Sequence, residues 1–370
     1  MAGVYIHVPF CQSRCIYCDF YSTTYGHEWM AQYVSALERE MAVRCAGLPI
    51  TRINTLYLGG GTPSQLPPDL LHGVFSAVNQ YFSLSDDAEV TIEANPDDVT
   101  PQWLEGLRQT PVNRISMGVQ TFDDALLHFL QRRHNGMQAR QAIASCLEHG
   151  YTNISIDLIY GLPGQTLDMW QHDLDMALSQ PIKHLSAYAL SFESGTRLTR
   201  MLELGQVEET DEELSLQMYL KLMECARQWG LEHYEISNFC RPGYHSRHNS
   251  SYWAQIPYYG FGPGAHSYDG RRNRRWNECD LRAYVTSEGD VPHCGETLSD
   301  EELYDENVMT GLRTCKGIDL RNLSPEDAQY CIAQAEPHLK SGKMVSEDGK
   351  LRLTGSGIFV SNDIISDLMH

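Results

Sequence analysis

Long apolar runs are missing from this chain. None approaches the roughly 18 residues that a membrane-spanning helix needs, so no spanning segment is expected. Basic residues are scarce as well. Lys and Arg number 28 against 48 Asp and Glu, a formal net charge of −20. That balance argues against broad nucleic-acid binding, which rests on neutralising phosphates with Lys and Arg. One local basic run exists, Arg271, Arg272, Arg274 and Arg275 before Trp276. A solvated loop is its plainer reading, a site for a carboxylate-bearing ligand the sharper one. No secretory leader is expected, because Met1-Ala2-Gly3 leads straight into the alternating Val4-Tyr5-Ile6-His7-Val8. Repeats and low-complexity stretches are also lacking. The 11 cysteines have no framework-like spacing, so they read as reduced thiols of a cytoplasmic protein.

What is present is an ordinary globular composition, 42% hydrophobic and 21% charged over 370 residues, enough for one large core with or without a small one. Short β-rich runs are expected near residues 5–8, 55–58, 90–93, 114–119, 154–159 and 185–190. Amphipathic stretches at 28–44, 69–81, 101–108, 137–149 and 167–178 lie between them. Repeated β then α implies parallel strands with helical crossovers. Six such units fit an open doubly wound sheet or a partly closed barrel, and periodicity does not separate the two. Residues 1–230 are read as this α/β unit, ending in an acidic helix near 211–230. Residues 231–296 are irregular, Gly- and aromatic-rich, and expected to pack on it. Residues 297–370 carry helices, a hairpin around Asp348-Gly349 and a final helix at 357–368, a small winged-helix-like α+β unit.

Chemistry concentrates after the strands. Cys11-x-x-x-Cys15-x-x-Cys18 sets three thiols in the loop after the first strand. A structural zinc normally takes four protein ligands, and no fourth Cys or His lies at usual spacing, while His7 points from within the strand. Three cysteines on a [4Fe-4S] cluster leave one iron open to an outside ligand. Gly59-Gly60-Gly61-Thr62-Pro63 follows the second strand, where glycines admit close backbone approach. Glu93, Gln120 and Asp157 end later strands. Each alone could be a cap or a loop hydrogen bond; together they form a polar ring around the mouth of the unit.

These motifs resemble the radical-SAM superfamily, whose members fold as a partial (β/α)6 barrel. The resemblance implies S-adenosylmethionine (SAM) on the open iron, with chemistry carried by the cofactor. It also implies SAM contacts from Tyr5, Tyr17, Gly60, Gly61, Thr62, Glu93, Gln120, Arg132 and Asp157.

Within the superfamily the chain resembles the branch of oxygen-independent coproporphyrinogen III oxidases and heme chaperones, over nearly its whole length. Phe20 stands where the oxidases carry a further cysteine, and the chain starts essentially at the first strand, without the oxidases' N-terminal extension. His248-Asn249-Ser250-Ser251-Tyr252-Trp253 fits the HNxxYW motif of heme-binding members. Read as residues alone, His248 is a buried histidine beside core aromatics. The resemblance instead implies His248 as ligand to heme iron and Tyr252 and Trp253 as flat surface for the macrocycle. His266 and, more weakly, His245 are further ligand candidates. The implied function is heme binding and transfer to apo-hemoproteins such as those of the respiratory chain. An electron donor is a further implied partner, a homodimer fits the resemblance, and membrane contact is expected only peripherally through partners. The alternatives are radical decarboxylation of coproporphyrinogen III, against which Phe20 counts, or another tetrapyrrole modification. No catalytic residue is assigned.

Overall fold

The computed structural model describes residues 2–47 and 51–370. Six strands, β1 (Ala2–Val8), β2 (Thr51–Gly60), β3 (Phe82–Ala94), β4 (Arg114–Gln120), β5 (Ile154–Tyr160) and β6 (His184–Ala189), lie side by side in chain order, all parallel. Helices His27–Arg44, Pro68–Tyr81, Pro101–Leu107, Gly136–Glu148 and Leu167–Leu178 make the crossovers. Their starts follow local chemistry. Thr100 and Thr166 accept from Trp103 N–H and Met169 N–H, and Asn135 forms a reciprocal capping box with Gln138.

Strand alternation sorts the two faces. Val4, Ile6, Leu56, Leu58, Val90, Ile92, Ile115, Met117, Ile154 and Ile156 are buried in one core with helix residues such as Leu37, Val74, Ile143 and Trp170. Each such aliphatic side chain contributes roughly 1.5–3 kcal/mol by leaving water. The residues between them, Tyr5, Tyr57, Glu93, Ser116, Asp157 and Ser186, line an interior cavity. The α/β expectation and its partial, six-unit parallel barrel are what the chain builds.

The sheet does not close on itself. β6 pairs antiparallel with β8 (Asn238–Cys240), which pairs with β7 (Glu232–Glu235). On the other side β9 (Tyr258–Phe261) runs parallel to β1, and β10 (His266–Tyr268), β11 (Asn273–Asn277) and β12 (His293–Thr297) continue outward. The segment read as irregular therefore supplies both outer edges of a 12-stranded sheet. Its strands are 3 to 5 residues long, too short for a period to show. A buried carboxylate staples part of it down: Glu40 accepts from Gly262 N–H at 2.9 Å, Asn277 Nδ2 at 2.7 Å and Tyr284 Oη at 2.7 Å, beside Arg44 at 2.7 Å.

The basic run is only partly a free surface: Arg271 is exposed, while two of its members are already paired. Arg274 to Trp276 belong to β11. Arg272 pairs with Asp300 and Arg274 with Glu306, so the carboxylates this run meets are the chain's own. Both acids sit on helix Asp300–Leu312, which begins the C-terminal unit. There Tyr304, Val308, Leu351, Ile364 and Leu368 form a separate core with helix Pro325–Lys340 and strands β13 (Ile318–Asp319), β14 (Met344–Glu347) and β15 (Lys350–Leu353). Asp348 (φ 52°) and Gly349 (φ 74°) are consecutive left-handed residues, as a type I′ hairpin turn requires. The expected final helix is two pieces, Gly355–Ile358 and Ser361–Leu368, because Val360 leaves helical geometry at φ −103°, ψ 25°. Among the described residues no helix is long and apolar enough to cross a membrane.

Candidate cofactor site

The loop after β1 crosses the C-terminal ends of the parallel strands, pinned at both ends. Cys11 N–H donates to Thr23 O at 2.9 Å and Thr23 N–H to Pro9 O at 2.7 Å, with Phe10 buried edge-on against Tyr33. Between these anchors Cys11, Cys15 and Cys18 all face one cavity of about 560 Å³. None is in a disulfide. Thr62 Oγ1 donates to Cys11 Sγ and Arg132 Nη1 to Cys15 Sγ, each at 3.3 Å. Burial pushes the Cys18 thiol up to about 11 and raises that of Cys11 as well. A metal centre would reverse that cost by ionising the thiols. Among the described residues the cavity lining holds no fourth cysteine and no histidine. That donor set fits a group needing three protein thiolates and an outside ligand, and does not fit a closed four-ligand zinc.

The other residues expected at this site converge on the same cavity: Tyr5, Tyr17, Gly60, Gly61, Thr62, Glu93, Gln120, Arg132 and Asp157 all line it. Gly60 is there for conformation. Its φ is +105°, and a Cβ would lie 2.5 Å from the His7 ring. The turn presents Gly60 N–H to Glu93 Oε2 at 3.1 Å, while Tyr57 Oη donates to Glu93 Oε1 at 2.8 Å. Burial dominates all the same and raises Glu93 to about 7. Burial likewise raises Asp157, against hydrogen bonds from Ser186 and Ser116. Gln120 ends β4 at φ +70°, unusual outside glycine and a form of strain that clusters at ligand sites. Arg132 is fixed by Asn95 Oδ1 at 2.7 Å and Gly118 O at 2.5 Å. Burial opposes its charge, but Tyr17 and Cys15 outweigh that and raise its pKa.

Arg114 was not among the expected residues. It opens β4 at 2% exposure, lines the cavity, and has buried Nε and Nη1 without a hydrogen-bond partner. Arg132 Nε is unpartnered too. Two buried guanidinium groups with spare donors suit an anionic, carboxylate-bearing ligand. A cation at the start of an apolar strand was the available signal, since such a residue must be paired or reach a polar space.

The histidine motif sits elsewhere. Helix Arg247–Trp253 is docked by Glu89 on β3, whose carboxylate accepts His248 N–H and Arg247 N–H at 3.0 Å each. His248 thereby enters the barrel from the N-terminal ends of the strands. It is 1% exposed and stacked against Tyr57 at 5.1 Å and Tyr5 at 6.3 Å. Both ring nitrogens are engaged, Nδ1 with Thr55 Oγ1 at 2.9 Å and Nε2 with Tyr252 Oη at 2.8 Å. Burial lowers its pKa to about 3, keeping it neutral. The structure thus differs from the sequence expectation of a ring offered to iron: His248 is a floor beneath the cavity, and neither it, Tyr252 nor Trp253 lines that cavity, whereas Asn249 does. Of the other histidines, His266 is exposed and stacked on Trp276, and His245 pairs with Glu232 at 3.4 Å.

Comparison with known proteins identifies the family. The family model "Radical SAM superfamily" matches residues 5–177, and "HemN C-terminal domain" matches residues 298–360. The "Heme chaperone HemW" of Mycobacterium tuberculosis is 34% identical over 99% of this chain and 94% of its own length, that of Bacillus subtilis 33% over 98% of each. The mitochondrial "Radical S-adenosyl methionine domain-containing protein 1" of Bos taurus is 33% identical over 96% of this chain and 83% of its own. Among solved structures, the coproporphyrinogen III oxidase HemN of Escherichia coli superposes with a TM-score of 0.85 at 21% identity, covering 100% of this chain and 90% of that one. At that identity the likeness speaks for a shared fold.

Proposed function

This chain belongs to the HemW family of the radical-SAM superfamily, and from that premise we propose that it is a heme chaperone which binds heme and hands it to apo-hemoproteins, respiratory cytochromes among them. The observation that carries the reading is the similarity to heme chaperones along the whole chain. The cavity adds its weight, with its three thiols and polar ring.

In this reading Cys11, Cys15 and Cys18 hold the [4Fe-4S] cluster. SAM would occupy the cavity, where a guanidinium such as that of Arg132 would meet its carboxylate. Gly60, Gly61 and Thr62 would let the backbone approach the methionine end, Glu93, Gln120 and Asp157 would take its polar hydrogens, and Tyr5 and Tyr17 would wall the site. When bound, the pair supplies one-electron cleavage of SAM. This chain's own residues bind, orient and shield. Arg132 offsets charge beside Cys15, and the aromatic floor of Tyr5, Tyr57 and His248 closes the cavity from below.

For heme the proposal keeps His248, with Tyr252 and Trp253, as the ligand group. Iron ligation there has to break one of the two hydrogen bonds of the His248 ring, so the empty chaperone and the heme-loaded one differ around helix Arg247–Trp253. The test is one anaerobically purified, cluster-reconstituted sample, titrated with heme and in parallel incubated with coproporphyrinogen III, SAM and reductant. Saturable binding of about one heme per chain, lost in His248→Ala, with no decarboxylated product, is the expected result. Decarboxylation without heme binding would make the chain an oxidase. Unchanged heme binding in His248→Ala would move the ligand elsewhere.

A further inference from the structure

Far from the cysteine triad in sequence, three donor side chains meet at the sheet edge. Glu232 on β7 pairs with Cys240 on β8, and His245 returns over them after a turn closed by Tyr244 N–H to Arg241 O at 3.0 Å. One ligand atom from each lies within 4.8 Å of the other two. His245 Nε2 and Glu232 Oε2 are 3.4 Å apart. A tetrahedral centre with bonds of about 2.0–2.1 Å to N and O spans nearly the same N···O edge, roughly 3.3–3.4 Å.

An exposed His–Glu pair by itself contributes little, and a buried cysteine by itself is commonly packing. Here the buried thiol sits within ligand distance of two solvent-facing donors. The Tyr234 ring stands edge-on to His245 at 4.6 Å, fixing the imidazole's orientation. Cys315, an exposed free thiol whose N–H donates to Tyr234 O at 3.0 Å, adjoins from the C-terminal unit.

We propose that Glu232, Cys240 and His245 form a binding site for one divalent cation of the zinc class. Thiolate, imidazole and carboxylate are a donor set that zinc accepts and that magnesium or calcium would not select. The ion would lock the β7–β8 hairpin to the turn feeding helix Arg247–Trp253, next to the Glu235–Thr314 bridge that ties the barrel to the C-terminal unit. With three protein ligands the fourth position would fall to water, an open site rather than a closed four-ligand one, and it stands whether or not heme is the cargo.

The probes are Zn²⁺ and Co²⁺ on the full chain. Cluster-loaded protein dialysed against Zn²⁺ should retain about one zinc per chain beyond its iron. His245→Ala and Glu232→Gln should weaken zinc binding at least about tenfold at unchanged iron content. In a full-length chain whose cluster cysteines are replaced by serine, Co²⁺ should give thiolate-to-cobalt charge-transfer absorption that Cys240→Ser abolishes. Circular dichroism on each variant separates lost binding from lost fold. No zinc retained by the wild type, or equal retention in folded His245→Ala, overturns the proposal.

Discussion

His248 Nδ1 lies 2.9 Å from Thr55 Oγ1, a buried contact between a helix of the outer segment and the second barrel strand. It joins the heme motif to the barrel floor and sets the cost of freeing the imidazole. Thr55→Val keeps the side chain's shape and removes that partner. Leaving one buried polar group unpaired costs about 1–3 kcal/mol, so chemical denaturation should show the variant less stable by that amount. Because the ring then has less to lose on meeting iron, heme affinity should rise, roughly fivefold for about 1 kcal/mol. A heme titration showing unchanged or weaker binding would confine His248 to the floor.

Arg132 reaches the cysteine loop from outside it, its Nη1 3.3 Å from Cys15 Sγ. Arg132→Met keeps length and removes charge and donors. The expected result is SAM affinity lower by at least about tenfold, the worth of one charge-assisted hydrogen bond, with weaker retention of iron. Equilibrium dialysis and iron analysis read the two effects separately.

Glu93 gives stability a sign in pH. Burial raises its carboxyl to about 7, above the ordinary value of roughly 4.5, so between these values the folded chain holds a proton that the unfolded chain releases. The Glu93 contribution is therefore intact below pH ~4.5 and lost as pH rises through about 7, at most roughly 3 kcal/mol. Glu93→Gln removes the dependence. Urea unfolding of the cofactor-free protein at pH 5.5 and 8 should show the variant losing less stability over that interval than the wild type.

Histidines act in the opposite direction. Burial lowers His7 to about 4 and His134 and His248 to about 3, below the unfolded value of roughly 6.5. Their neutral forms contribute fully above pH ~6.5, and the contribution is lost as pH falls toward the folded values, since the unfolded chain takes up the protons first. Replacing His134, whose Nε2 donates to Val119 O at 3.1 Å, by Gln should cut the acid-side slope by about one proton, ~1.4 kcal/mol per pH unit. Stability measured between pH 5 and 6.5 checks this.

Much of this was legible in the sequence because one alternation does two jobs. Ile92 faces the helices and Glu93 faces the cavity, so the period that marks β3 also marks its chemical end. The cysteine spacing was equally direct, three thiols in one loop. Arg114 escaped because a cation at a strand's first position is usually solvated. The position of His248 beneath the barrel was not legible for a different reason. Its helix is 7 residues long, too short to show a buried face, and only the fold reveals that Glu89 draws its N-terminus under the barrel. The edge strands β7 to β12 are too short to show a period, and they join the barrel only where β8 meets β6 and β9 meets β1, partners distant in sequence.

Gly60 tests the conformational requirement at the mouth. With φ at +105° and a would-be Cβ 2.5 Å from the His7 ring, Gly60→Ala meets two penalties together. The backbone strain alone is about 1–2 kcal/mol. His7 cannot swing clear cheaply, because Nε2 donates to Tyr21 O at 2.9 Å and Nδ1 accepts from Tyr5 Oη at 3.2 Å. The turn must then shift, carrying Gly60 N–H away from Glu93 Oε2. SAM binding should fall at least about tenfold while the cluster, held by a different loop, is retained. Loss of both would mean that the turn supports the cysteine loop through the Gly61 N–H bond to Val8 O at 2.9 Å and the Thr62 N–H bond to Phe10 O at 2.7 Å. Iron content and SAM binding measured on one Gly60→Ala preparation separate the two.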